Sequence, residues 1–197
     1  MLDVIDEQPG STSHSLLRRV RLRDAEAWRR FAALYTPLVY SWARRGGLQE
    51  SDAADVVQDV FRSVFTKIDD FQKDGQCSHF RGWLWAITRN RVRLFFRQRA
   101  PQPQAAGGGD AALLLAQIPD QWQRDEEPST NDDRHALVQR ALRLVKDDFS
   151  AATWQAFWRL TVVGDEAAAI AADLGQSAKA VRQAKYRVLC RLREELR

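Results

Sequence analysis

The stretch from Phe80 to Arg99, FRGWLWAITRNRVRLFFRQR, constrains the chain more than any other. It carries six arginines and no acid, with Phe80, Trp83, Trp85, Phe95 and Phe96 set between them. Trp83, Ile87 and Leu94 fall close to one helical face, as do Leu84, Thr88, Arg91 and Phe95, and only Gly82 is a poor helix former. The spacing predicts a helix that packs by one side and offers positive charge on the other. Guanidinium groups give fixed donor forks for phosphate and stay charged when half buried, while aromatic rings cover a core or stack on unpaired bases. A solvated arginine face over an ordinary core is the plainer alternative.

Charge elsewhere is segregated. Residues 16–30 hold six arginines, residues 50–74 hold seven acids against three basic side chains, and residues 179–197 hold seven basic side chains and two acids. Separate basic surfaces with an acidic one between them can meet a polyanion and a protein at different places. The 197 residues, 45% apolar, suffice for one large core or two small ones. Cys77 and Cys190 stand far apart with no metal-binding spacing, and no run of about 20 apolar residues or secretory apolar segment occurs. A soluble cytoplasmic protein without membrane insertion is expected.

In chain order, residues 1–15 are polar. Leu16 opens a first helical pattern and Asp24 can cap a second, built on Ala27, Trp28, Phe31, Leu34, Tyr35, Leu38 and Val39. Pro37 predicts a kink or restart, and Gly46-Gly47 a C-cap. Ser51 or Asp52 is expected to start the next helix, whose Val56, Val57, Val60, Phe61, Val64, Phe65 and Ile68 recur at three and four. Its opposite face carries Asp55, Gln58, Asp59 and Arg62, either a solvated coat or a protein-docking strip. After the arginine-rich helix, PQPQAAGGGD and the acids Asp120, Asp125, Glu126, Glu127, Asp132 and Asp133 read as a flexible acidic linker, in which Leu113-Leu114-Leu115 can pack locally.

The last segment predicts helices around Leu137 to Val145 and Trp154 to Leu160, the latter ending near Gly164. Then DEAAAIAADLG and SAKAVRQAKYRVLCRLREEL have helix-turn-helix spacing. Asp165 is expected to cap the first helix of the pair, Gly175 to take positive φ, and Ser177 to cap the second. Val181, Ala184 and Val188 face inward, which leaves Lys179, Arg182, Gln183, Lys185, Tyr186 and Arg187 outward, a set able to read base edges and hold phosphates. A plain helical hairpin with a polar coat is the alternative. The expected fold is all-α, with two small helical domains (15–100 and 132–197) joined by a flexible linker (101–131), the second ending in a helix-turn-helix.

Catalysis has no support. His14, His79 and His135 are isolated, Asp52, Asp55 and Asp59 have no histidine nearby in sequence, and phosphate-binding and nucleophile-elbow motifs are absent. No enzyme, metal or cofactor is expected.

DAADVVQDVFRSVF at Asp52 to Phe65, followed by FRGWLWAITRNRVRLFFRQR, a tether and a helix-turn-helix pattern, resembles a bacterial sigma-70-type RNA polymerase sigma factor. The likeness is to the small extracytoplasmic-function (ECF) kind with regions 2 and 4 alone, and covers about residues 15 to 99 and 132 to 196. The resemblance implies promoter recognition by core RNA polymerase, with its largest and second-largest subunits and promoter DNA as partners. It assigns core docking to Asp55, Gln58, Asp59 and Arg62, and minus-10 DNA binding to Phe80, Arg81, Trp83, Trp85, Arg89, Asn90 and Arg91, in or behind that surface. Residues 69–79 would capture a flipped base. Ser177, Lys179, Arg182, Gln183, Lys185, Tyr186 and Arg187 would bind the minus-35 element. An anti-sigma factor is a further partner the resemblance allows, though nothing in the sequence identifies one. Glu166 departs from the family's Ser or Thr, which is why capping falls to Asp165. A stand-alone helix-turn-helix regulator, with the first module as sensor or oligomerisation domain, is the alternative. An RNA-binding scaffold is a second competitor.

Overall fold

The computed structural model describes residues 16–71, 80–99 and 130–196. All regular structure among them is helical: α1 Leu16–Arg21, α2 Ala25–Arg45, α3 Glu50–Lys67, a 3-10 turn Ile68–Asp70, α4 Phe80–Arg99, α5 Asn131–Lys146, α6 Ala151–Trp158, a π turn Arg159–Val163, α7 Ala167–Asp173 and α8 Ala178–Leu196. Most of the expected linker lies outside the described residues, as do residues 72–79, His14 and Cys77. Two compact units form, one from residues 28–140 and one from the chain before 28 together with the chain after 140.

The 28–140 unit is built on an aromatic core. Phe31 packs against Tyr35, Phe61 and Phe80, and Trp42 meets Trp85 edge to face at 5.6 Å. Val56, Val57, Val60 and Val64 of α3 are buried, as the three-and-four period requires. α3 packs on α4, and Arg99 closes that pair by reaching Asp52 with both terminal nitrogens, at 2.8 and 2.9 Å. Asp52 therefore does not start α3. The helix begins at Glu50 after Gln49, which offers no side-chain cap, and Asp52 is drawn inward to its arginine. α2 also runs unbroken through Pro37, so no restart occurs there.

Helix ends follow the glycines and one arginine. Gly47 takes φ 90° after α2, with the Gly47 and Leu48 amides donating to Arg44 and Ala43 carbonyls in a Schellman cap. Gly175 takes φ 62° after α7 with the same pattern. Arg23 does likewise at φ 59° after α1 without being glycine. Asp24 then caps α2: one carboxylate oxygen accepts from the Ala27 amide at 2.9 Å and the other from Arg19. The Ala27 amide and then Arg19 lower the Asp24 pKa below its ordinary 3.8.

Within the same 28–140 unit, α5 is tied to α2 by one carboxylate. Thr130 and Asp133 form a reciprocal capping box, Thr130 amide to Asp133 at 2.9 Å and Asp133 amide to the Thr130 hydroxyl at 3.2 Å. Asp133 also accepts from Arg45 at 2.6 Å and Ser41 at 3.2 Å. Burial is the largest influence on its pKa and pushes it upward, but the Thr130 amide and Arg45 together outweigh burial and hold it below 3.8.

The other unit centres on Ala156, Ile170, Ala171, Val181 and Ala184, with Leu160 and Leu174 packed at the edge. α6 and α7 both pack on α8, and α1 touches α8. Arg191 bonds Asp148 at 2.9 Å and the buried Glu195 at 2.7 Å.

Two measurements test this account. A Cβ on Gly82 meets nothing within 4 Å, and one on Gly47 meets only Phe96 at 3.9 Å. Backbone conformation alone should therefore separate them. Gly47→Ala should lose about 1–2 kcal/mol in denaturant unfolding, whereas Gly82→Ala should gain up to about 1 kcal/mol. The depressed pKa values of Asp24 and Asp133 contribute stability that is complete above 3.8 and lost as pH falls through their folded values. Asp133→Asn should accordingly flatten the acid limb of a stability-versus-pH curve; an unchanged limb would count against the Asp133 ties.

Candidate nucleic-acid and protein interfaces

α3 and α4 are built from opposite charges on a shared core. On α3 the buried valines leave Asp55, Gln58, Asp59 and Arg62 along the other side, spaced as a single helical strip. Asp55, Gln58 and Arg62 are exposed and Asp59 is half-exposed. Arg62 bonds Asp59 at 3.0 Å, an exposed i,i+3 pair. Such pairs contribute about 0.5 kcal/mol or less, so the strip is free to exchange that contact for a partner's.

On α4 the inward stripe is Phe80, Leu84, Trp85, Thr88 and Val92. The expected minus-10 set divides on this point. Asn90 is exposed, and Arg81, Arg89, Arg91 and Trp83 are half-buried. Phe80 and Trp85 are not surface residues: Trp85 is fully buried against Trp42 and Phe80 sits among Phe31, Tyr35, Phe71 and Trp83. They support the arginine face from behind and cannot touch a strand while the core is intact. Trp83 rests on Phe71 at 5.3 Å and Phe80 at 5.6 Å, next to the end of the 72–79 segment. Of the residues 69–79 expected to hold a base, all but Asp69 to Phe71 lie outside the described residues.

The α7–α8 pair carries the third set. Ser177 caps α8 by accepting from the Ala180 amide at 3.1 Å. Asp165 does not cap α7. Its carboxylate receives Arg159 Nε at 2.6 Å, and Glu166 occupies the cap position without a side-chain bond. Arg159 also reaches Asp173 at 2.9 Å, and the Asp165 and then Asp173 carboxylates push its pKa up. One arginine thus brackets α7, a tie with no sequence motif to announce it. Along α8, Lys179, Arg182, Gln183, Tyr186 and Arg187 are exposed and Lys185 is half-exposed. Lys179, Arg182, Gln183 and Tyr186 share one face by spacing. A hydrogen bond with Cys190 pushes the Tyr186 phenol pKa up.

Among the described residues no cluster of His, Cys, Asp or Glu could hold a metal ion, and no helix is long and apolar enough to cross a membrane. The exposed charges of α3, α4 and α8 offer recognition by charge and shape.

Residues 31–102, which contain α3 and α4, match the family described as Sigma-70 region 2. RNA polymerase sigma factor NccH of Alcaligenes xylosoxydans xylosoxydans is 32% identical over 111 residues, 55% of this chain and 58% of NccH. ECF RNA polymerase sigma factor SigD of Mycobacterium tuberculosis is 28% identical over 177 residues, 88% of this chain and 78% of SigD. The chain is thus similar to RNA polymerase sigma factors, SigD among them of the ECF type, and its residues 31–102 carry the Sigma-70 region 2 pattern. RNA polymerase sigma factor CnrH of Cupriavidus metallidurans is 42% identical over 57 residues, 29% of this chain and 28% of CnrH. The chain spans less than two thirds of the length of NccH and of CnrH. A solved structure of CnrH in complex with the cytosolic domain of CnrY is 23% identical, covering 90% of this chain and 92% of that one, at a TM-score of 0.36.

The burial pattern separates support from contact. Trp85→Ala should cost about 3–5 kcal/mol of stability, while Asn90→Ala should leave stability within about 0.5 kcal/mol. An Asn90 variant that unfolds, or a Trp85 variant of undiminished stability, would contradict this placement of α4.

Proposed function

We propose that the chain is a promoter-specificity subunit, which directs core RNA polymerase to particular promoters and assists strand opening without covalent chemistry of its own. The observation that carries this reading is the pairing of α3 and α4. An exposed Asp55–Gln58–Asp59–Arg62 strip lies on the helix preceding the arginine face, inside the span that matches Sigma-70 region 2. Docking on the polymerase largest subunit falls to that strip. Arg81, Arg89, Asn90 and Arg91, with Trp83 beside them, engage the opened minus-10 element, helped by residues 69–79. Phosphate neutralisation by these arginines makes the complex strongly salt-dependent.

Lys179, Arg182, Gln183, Lys185, Tyr186 and Arg187, with Ser177 setting the start of α8, read the minus-35 element as duplex. Residues 101–131 act as the tether that lets a 15–100 domain and a 132–197 domain reach both elements at once. The second-largest polymerase subunit is a further contact, and the site of action is where polymerase works, in the cytoplasm.

The test is association of the purified chain with core polymerase, followed by run-off transcription on genomic fragments. Reversing charge at Asp55 and Asp59 together should weaken core binding more than roughly tenfold while leaving duplex binding by α8 unchanged. Lys179→Ala and Arg182→Ala should each lower the salt slope of duplex binding by up to about one. A chain that ignores core polymerase yet binds duplex operators would be a stand-alone regulator instead.

A further inference from the structure

The seam between α3 and α4 holds a bond that docking and strand binding, taken separately, do not use. Ser63 follows Arg62 on α3 and is buried, only 5% exposed. Its hydroxyl donates to the Asp59 carbonyl at 2.7 Å and accepts from Arg91 Nε at 2.9 Å. The first bond fixes the hydroxyl rotor, so a lone pair is aimed across the seam. The second takes the innermost guanidinium N–H and leaves the terminal pair of nitrogens at the outer end of the side chain. Asp59, whose carbonyl anchors this arrangement, also holds Arg62 through its carboxylate at 3.0 Å. Two residues of the α3 strip are therefore linked to an arginine of the DNA face by a short chain of bonds.

We propose that Ser63 is a positioning residue, holding Arg91 as a preset phosphate fork for the strand engaged by α4. This rests on the sigma reading above and deepens it. An untethered arginine loses rotamer freedom when it grips a phosphate; one already held at Nε loses less. Ser63 lies one helical turn from Asp59, so the proposed strand grip and docking strip are neighbours on α3.

The experiment uses the full chain with core polymerase and a fork-junction DNA, duplex ending in a single-stranded non-template tail, and reads dissociation rates across salt concentrations. Ser63→Ala should keep core affinity within about twofold and speed release of the DNA roughly three- to tenfold. The salt slope should stay unchanged, because the charge remains. Ser63→Thr, which keeps the hydroxyl, should restore slow release. Arg91→Lys, which keeps charge but lacks the fork, should release DNA as fast as Ser63→Ala without disturbing the core. Arg91→Ala should be worse and reduce the salt slope by about one, and Ser63→Ala should add nothing to it. Release from Ser63→Ala as slow as from the wild type, or losses that multiply in the double variant, would overturn the role. So would loss of core binding equal to the loss of DNA binding. A wild-type chain that fails to bind core polymerase overturns the sigma reading itself, whereas normal wild-type binding with an indifferent Ser63→Ala overturns only this inference.

Discussion

An arginine-rich helix can join a folded core only if its apolar stripe is deep enough to decide which way it faces. α4 meets that condition through Phe80, Leu84, Trp85, Thr88 and Val92. Each large apolar side chain among them contributes about 1.5–3 kcal/mol by leaving water. Turning the helix over would bury guanidinium groups instead, at several kcal/mol apiece. Both terms push in one direction, so the arginine positions follow from the tryptophan and leucine positions. Trp85 against Trp42 is the pivot of that arrangement, and the α3 strip depends on it in turn, because α3 packs against α4 with its valines inward.

A second economy concerns carboxylates. Asp24 caps α2 and holds Arg19, Asp133 caps α5 and holds Arg45, and Asp165 and Asp173 share Arg159 across α7. Asp52 is held by Arg99, which also lies 4.3 Å from the centre of the Phe95 ring. Asp24 and Asp133 each cap a helix while an arginine holds the acid, and Asp165, Asp173 and Asp52 are held by arginines without capping. Local capping and tertiary placement therefore reinforce each other, which is the consistency expected of a sequence that specifies one fold. Asp55 differs. It has no ion-pair partner among the described residues, and it stands on the strip assigned to a protein partner.

Helix periods were the legible part of this chain. The valines of α3, the Gly47 and Gly175 caps, the Asp24 and Ser177 caps and the inward Val181, Ala184 and Val188 all follow from spacing and residue type. What spacing could not reveal was which polar side chain would be claimed by a residue far away. Asp52 and Asp165 look like caps because Asp is a good cap, but Arg99 and Arg159 compete for them and win. Phe80 and Trp85 look like base-stacking rings for the same reason, since an aromatic between arginines is locally ambiguous. Only the partner ring, Trp42 for one and Phe31 for the other, resolves it. Spacing placed the linker's end at 131 and the next helix around Leu137, whereas the Thr130 to Asp133 capping box, which was not read from the sequence, starts α5 at Asn131. Ser63 had no local signal at all.

Burial sorts the ion pairs into those that make the fold and those left for use. Asp133 and Arg45 have 12% and 28% of their side-chain surface exposed, and Asp52 keeps 12%. Removing the arginine from either pair strands a largely buried carboxylate, although Arg99 itself keeps 60% of its side-chain surface exposed. Arg62 and Asp59 keep 75% and 48%. In that setting water and salt screen the attraction, and a partner that supplies a better-placed charge displaces it at little cost. The same helix thus carries a pair fixed by the core at its start and a pair open to exchange toward its end. Ser63 sits directly after the exchangeable pair and is itself buried, which puts its bond to Arg91 beside the end of α3 whose ion pair is open to exchange, and away from the Asp52 end.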